Sequence, residues 1–306
     1  MVAISLAAVT SLIAAAATVQ GAPAQKRAAP GQADIDTVIL NYALTLEHLE
    51  NAFYRDSLKK LSAEDFSKAG YQPWIRQRFI EIGSHEKAHV QFLTKALGDQ
   101  AVKECTYNFG VTDVKSFIAT SQLLEGVGVS AYLGAAANIT SPAYLTAAGS
   151  ILTTESRHAS WVQSSAALSD GFGAPYDVAT NFNQTYSLAA PLIVKCPSGN
   201  TPLPVKAFPA LTLSEKVLKP GQNVKVSGKG VQDGQQVAFL TAGQTLFAPI
   251  QGGSVKVPQI STGRTYALVV KSGAKTASDD NTVAGPVASD YLRSAATEAK
   301  AAQQSS

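Results

Sequence analysis

The chain has 306 residues, is 45% hydrophobic and 15% charged, and carries a net charge of +3 with its basic residues scattered. This composition supports a sizeable core shared by two domains and is too apolar for disorder. There is no basic stripe and no aromatic–basic ladder, which sets nucleic-acid binding aside.

Residues 1–22 read as a secretory signal. Val2 to Thr18 is almost wholly small and apolar, and Val19-Gln-Gly21 or Gln20-Gly-Ala22 resembles a small-residue cleavage site. The run lacks a basic start, and it is short for a membrane span of roughly 20 apolar residues. Residues 23–27 then form a short propeptide ending in the dibasic Lys26-Arg27, which leaves Ala28 as the mature N-terminus.

Residues 28–196 carry four long helical patterns. The first spans 34–58, with Ile35, Val38, Ile39, Tyr42, Leu46, Leu49, Phe53 and Tyr54 at helical spacing. A polar connection over 59–72 leads to Pro73, which suits the first position of a second helix, 73–97. Gly98 ends it. A crossing connection over 99–112 precedes a third helix over 113–138, capped by Thr112 or Asp113. Ser141-Pro142 starts a fourth helix running to about Leu168, and a short extra helix is expected near Asn181 to Leu188.

Composition changes after Cys196. Residues 197–209 form a Pro-rich linker. Residues 210–288 alternate β-prone runs with Gly turns: 210–213, 223–227, 236–241, 254–257 and 265–271. This spacing predicts a small antiparallel β-sandwich of immunoglobulin-like type. The tail, 289–306, is polar, so a hydrophobic lipid-anchor signal is absent, and no later segment is apolar enough to span a membrane. The mature protein is therefore expected outside the cell or on its wall. There Cys105 and Cys196 pair in one disulfide, the alternative being two buried thiols. Asn138-Ile-Thr140 and Asn183-Gln-Thr185 fit the N-glycosylation sequon.

The chemistry lies in four helices. Their acidic and imidazole residues run Glu47, Glu86-Lys-Ala-His89, Glu125 and Glu155-Ser-Arg-His158. Glu86 and His89 fall on the stripe Ile75, Phe79, Ile82, Leu93, the buried face of their helix. Glu155 and His158 repeat this on the stripe Tyr144, Ala148, Ile151, Val162. Unpaired buried charges are very costly, and a pair of metal ions removes that cost. Tyr54 and Tyr132 each follow a Glu by seven residues, about two helical turns, and so share its face. The chain thus reads as one helix hairpin used twice. In that reading Glu86 and Glu155 bridge two metals, and Glu47 and Glu125 are terminal ligands. Glu50 competes with Glu47; the match between Glu47–Tyr54 and Glu125–Tyr132 favours Glu47. Trp161 reads as packing rather than as a redox relay.

His85-Glu86-Lys-Ala-His89 also matches the zinc-protease motif His-Glu-x-x-His. Its extended form fails, because Phe92 stands where Gly is required and Lys95 where the third His is required.

The four-element order resembles the ferritin-like superfamily over about residues 34–168. Asn41-Tyr-Ala-Leu-Thr-Leu-Glu47, Glu50-Asn-Ala-Phe-Tyr54, the leader and the added β domain resemble its secreted fungal branch, described as stress-response, late sexual development or desiccation-related proteins. The resemblance implies two iron or two manganese ions held by Glu47, Glu86, His89, Glu125, Glu155 and His158. It also implies Tyr54 and Tyr132 as redox or supporting neighbours, and reactivity towards oxygen, peroxide or ferrous iron. Two other functions stay open: metal sequestration without turnover, and a structural or wall-associated protein with an unused site. The β domain would then meet a wall component or another protein. Gly126, Gly128, Ala131 and Gly134 on the third helix either leave room at the site or permit close packing. The oligomeric state is not legible in the sequence.

Overall fold

The computed structural model describes residues 34–291. The expected signal peptide and propeptide, and residues 292–306 of the polar tail, lie outside them. Six helices come first: α1 (Ile35–Lys60), α2 (Ala63–Lys68), α3 (Pro73–Leu97), α4 (Val114–Ala135), α5 (Pro142–Trp161) and α6 (Phe182–Ala189). Pro73 opens α3, where its missing N–H costs nothing. Asp113 caps α4 by accepting from the Ser116 N–H, while Ser116 accepts from the Asp113 N–H. Past Trp161, α5 widens into a π-turn over Val162–Ala166. Among the described residues no helix is long and apolar enough to cross a membrane.

Two elements depart from expectation. The polar connection contains α2, whose Ser62 and Asp65 form a capping box and whose Phe66 is buried. The crossing connection contributes β1 (Thr106–Tyr107), which pairs with β2 (Ile193–Lys195). A Cys105–Cys196 disulfide fastens this ribbon across 91 residues of sequence.

The helices pack as two hairpins, α1 with α3 and α4 with α5, and α1 also meets α4. One apolar cluster, including Phe53, Phe66, Phe79 and Phe117, fills one end. A second, built on Leu40, Leu44, Leu93 and Leu97, fills the other. Glu47 on α1 and Glu86 on α3 fall between the two clusters along their helices.

β3 (Leu211–Leu213), β4 (Asn223–Gly228), β5 (Gln236–Thr241), β6 (Gln244–Gln251), β7 (Ser254–Lys256), β8 (Gly263–Val270) and β9 (Thr282–Tyr291) form the second unit. Their order is β3-β4-β7-β6-β5-β8-β9, antiparallel throughout. The expected sandwich is thus a single sheet curled into a nearly closed barrel. β6 links the halves: Gln244–Pro249 pair with β5, and Ile250 and Gln251 with β7. The Gly285 N–H donates to the Pro209 carbonyl at 2.9 Å, joining β9 to the chain just before β3. β6 and β9 are strands that the sequence pattern did not signal, and β9 continues to Tyr291, past the expected boundary at 288.

The barrel leans on the bundle. β5 and β8 are buried on both faces: Val237, Phe239, Ala267 and Val269 point into the barrel core, and Ala238, Leu240, Tyr266 and Leu268 join Val127 of α4. Arg264 binds Asp290 at 2.6 Å and donates to the carbonyls of Gln122 and Leu123 on α4. The Tyr266 hydroxyl donates to the Gly126 carbonyl and lies 2.9 Å from Ser130 Oγ. The linker is pinned too, with Lys206 N–H donating to Asn183 Oδ1 and Phe208 N–H to Ser187 Oγ. As a result α4 is buried at every position from Leu124 to Tyr132. Two of its glycines serve this close packing. A Cβ at Gly126 would meet the Arg264 guanidinium at 2.1 Å, and one at Gly134 the Thr180 carbonyl oxygen at 1.9 Å.

Candidate metal centre

Glu47 on α1, Glu86 and His89 on α3, Glu125 on α4, and Glu155 and His158 on α5 converge inside the bundle. All four carboxylates are 0% exposed. Donor atoms of Glu47, Glu86, His89 and Glu155 lie within 4.8 Å of one another, and so do those of Glu86, Glu125, Glu155 and His158. The two groups share Glu86 and Glu155, one carboxylate from each Glu-x-x-His helix. The paired hairpins explain this sharing: Glu-x-x-His on α3 faces its counterpart on α5, with the lone Glu of α1 and of α4 closing either side.

Several of these atoms have no hydrogen-bond partner among the described residues: Glu86 Oε1, Glu125 Oε2, both Glu155 oxygens and His158 Nδ1. His158 Nδ1 is 3.0 Å from Glu86 Oε1 and 3.2 Å from Glu125 Oε2. The atoms face one another across a small space rather than along N–H directions. Buried polar atoms are nearly always satisfied, so orphans gathered at one point fit a ligand that accepts lone pairs. Carboxylate oxygens with imidazole nitrogens and no thiolate suit a divalent metal of hard or borderline character. A family described as the ferritin-like domain matches residues 35–167.

The helical bundle is a ferritin-like domain. Protein rds1 of Schizosaccharomyces pombe is 31% identical to this chain over 182 residues. That match covers 59% of this chain and 44% of the relative, so the chain spans less than half of that protein's length.

The electrostatics of the ferritin-like bundle follow from burial. Burial pushes Glu47 up to about 7, against the pull of the His89 imidazole. Burial also drives Glu50 and Glu155 well above the usual carboxylate range, reinforced by their carboxylate neighbours. Burial opposes ionisation of Glu86 as well, but His158 and His89 outweigh it and hold that carboxyl at about 2. Burial would lower both imidazoles, yet the surrounding carboxylates prevail, taking His89 up to about 12 and His158 to about 10. Protons would therefore compete with a metal for the lone pairs of these carboxylates and imidazoles.

Glu50 joins the acidic group without belonging to either donor set. It is 4% exposed, and a Cβ on Gly128 would meet Glu50 Oε1 at 3.1 Å and Glu155 Oε2 at 3.0 Å. Gly128 thus leaves room for two carboxylates, whereas Gly126 and Gly134 serve the barrel and the 180s loop. Glu47 is the α1 residue in a donor set, and its Oε1 accepts from the Tyr132 hydroxyl at 2.5 Å. Tyr54 donates to Glu125 Oε1 and lies 2.7 Å from Ser121 Oγ. Each Tyr therefore bonds the lone Glu of the opposite hairpin, not the one seven residues before it. Sharing a helix face brought them to the site; the partner depends on how the hairpins cross.

His85 is in neither donor set. It is exposed, its ring stacks on His158 at 5.1 Å, and its Nδ1 lies 2.9 Å from His158 Nε2. His85 and His89 do not converge on one point with a third ligand, so the zinc-protease motif has no site here among the described residues. As a neighbour that fixes the His158 ring, His85 was visible in the sequence only as part of that false match. Asn138 is exposed. Asn183 is tied up: its amide donates to Asp279 at 2.6 Å, and Thr185 of its sequon is fully buried.

Proposed function

We propose that the bundle holds a pair of iron or manganese ions, with Glu86 and Glu155 bridging, Glu47 and His89 completing one position, and Glu125 and His158 the other. The observation that carries this reading is the overlap of two donor sets through one carboxylate from each Glu-x-x-His helix. Such a pair supplies one- and two-electron chemistry towards oxygen, peroxide or ferrous iron. The chain's own part is to hold the donors in a dry core, keep Glu86 ionised, and order Glu47 and Glu125 through Tyr132 and Tyr54. An apolar cavity of about 30 Å³, lined by Leu46, Phe92, Ala131, Tyr132 and Ile151, offers small uncharged molecules an approach from the Tyr132 side. In this reading the protein is secreted and acts outside the cell or at its wall, with the barrel available to a wall component or another protein.

The test is elemental analysis of full-length protein secreted from a eukaryotic host and purified without chelators, followed by ferrous-oxidation and peroxide assays. About two iron or manganese ions per chain are expected. No metal after loading with ferrous or manganous ion overturns the reading and leaves a structural protein on a ferritin-like scaffold.

A further inference from the structure

Tyr54 and Tyr132 occupy equivalent places in the repeat, yet their surroundings differ. Tyr132 makes no ring contact among the described residues. Tyr54 heads a line of rings. Its centroid is 6.3 Å from that of Phe79, Phe79 is 5.0 Å from Trp161, and Trp161 is 6.2 Å from Trp74. Tyr54 is 1% exposed and Phe79 0%, while Trp74 at the far end is 53% exposed. Phe66 and Phe117 pack round Phe79 at 6.1 and 4.8 Å and keep water from the inner part of the line.

Core packing accounts for the inner rings. It does not account for a half-exposed indole in the first turn of α3, leading through Trp161 towards the acidic cluster. Tyrosine and tryptophan are the side chains that most readily give up one electron. Phe79 does not; it is the packed medium between Trp161 and Tyr54. At the inner end the Tyr54 hydroxyl donates to Glu125, so a proton acceptor is already in place.

We propose that Trp74 is a surface oxidation site for one-electron donors of the phenol or hydroquinone class, connected to Tyr54 through Trp161, whose position in the ring line goes beyond the packing role its sequence spacing suggests. Electrons move inward one at a time, from donor to Trp74, to Trp161, to Tyr54. When Tyr54 is oxidised it becomes a neutral phenoxyl and its proton passes to Glu125; on re-reduction the proton returns. The terminal oxidant is a peroxide. Each hydrogen peroxide takes two electrons and two protons to give two waters, and each of two phenols loses one electron and one proton to become a phenoxyl radical. The identity of the oxidant rests on the dimetal reading, but the relay belongs to the chain itself. It would let a donor too large to enter the bundle be oxidised at its surface.

The relay is tested on full-length protein freed of metal. Arg78, exposed and one helical turn beyond Trp74, is replaced by cysteine and labelled with a ruthenium polypyridyl photo-oxidant; both native cysteines are in the disulfide. A flash with an electron-accepting quencher should give a tryptophanyl radical signal that decays into a tyrosyl one. The tyrosyl signal should be lost in Tyr54→Phe and in Trp161→Phe, with circular dichroism and metal uptake of Trp161→Phe unchanged. An equal tyrosyl yield in Trp161→Phe, or no tyrosyl signal in the intact chain, overturns the proposal. Failure of the dimetal reading shows separately, in elemental analysis.

Discussion

Replacing Glu155 by Gln should make the metal-free protein more stable and the metal-binding protein worse. Glu155 is 0% exposed, and neither carboxylate oxygen has a hydrogen-bond partner among the described residues, His89 Nδ1 lying 3.3 Å from Oε1. A buried polar group left unsatisfied costs about 1–3 kcal/mol, and more if charged. Glutamine keeps the shape, cannot ionise, and offers an amide N–H to the surrounding carboxylates. The metal-free fold should gain about 1–3 kcal/mol. At about 2–4 °C per kcal/mol for a chain of this size, the melting temperature should rise by about 2–12 °C. Metal content should move the other way, because Glu155 donates to both sets. Glu50→Gln is the control: it removes a carboxylate from the same core but from neither set, so it should stabilise the metal-free fold and leave the metal content unchanged. The assays are calorimetry on chelator-treated protein and elemental analysis after loading. Wild-type metal content in Glu155→Gln, or a fall in its metal-free melting temperature, would refute the reasoning.

Three further outcomes are expected. Metal-free protein should lose stability as pH rises from 4.5 towards about 7. Glu47 keeps its proton in the folded state after the unfolded chain has released it, and a raised acid destabilises the fold above its unfolded value. His89 acts in the same direction, since its contribution is complete below 6.5 and fades as pH rises towards about 12. Urea midpoints across that range check this, and a rising midpoint contradicts it. Arg264→Met should cost about 3–5 kcal/mol, because it strands Asp290 as a partly buried, unpaired charge; a denaturation midpoint within error of wild type would discount the Arg264 anchor. Reducing the Cys105–Cys196 disulfide should lower stability by about 4–5 kcal/mol on loop entropy for a 91-residue separation, read as a shift in melting temperature with and without reductant.

Where the bundle was legible, physical periodicity made it so. Pro73, the Glu-x-x-His stripes and Asp113 marked α3, α5 and α4 because helix starts and buried faces leave local signals. α2 left one as well, the Ser62-x-x-Asp65 box, but six residues carry too little periodicity to stand out. In the second unit, the runs at β4, β5 and β8 were plain. β6 and β9 were hidden by Pro249 and by Gly285-Pro286, which read as chain breaks although neighbouring strands hold them in register. The six acidic and imidazole residues were visible as charges on apolar faces. Glu50 was visible only as a rival to Glu47, since spacing along one helix cannot tell whether a cavity across the bundle has room for both; Gly128, on a different helix, makes that room. The hydrogen bonds from Tyr54 and Tyr132 cross between hairpins, a relation that no spacing within one helix contains.

The burial of α4 on every side between Leu124 and Tyr132 has a consequence for how such a chain can be divided. A helix whose one flank carries Glu125 and Gly128 and whose other carries Gly126, Val127 and Ser130 is a party wall with tenants on both sides. Ending the chain at Cys196 would uncover that second flank, strip the Gln122 and Leu123 carbonyls of their guanidinium, and bare an apolar strip along the bundle. The four helices that carry the candidate metal ligands should therefore fold poorly when expressed alone. Limited proteolysis in the 197–209 linker should leave two fragments that stay together until denatured.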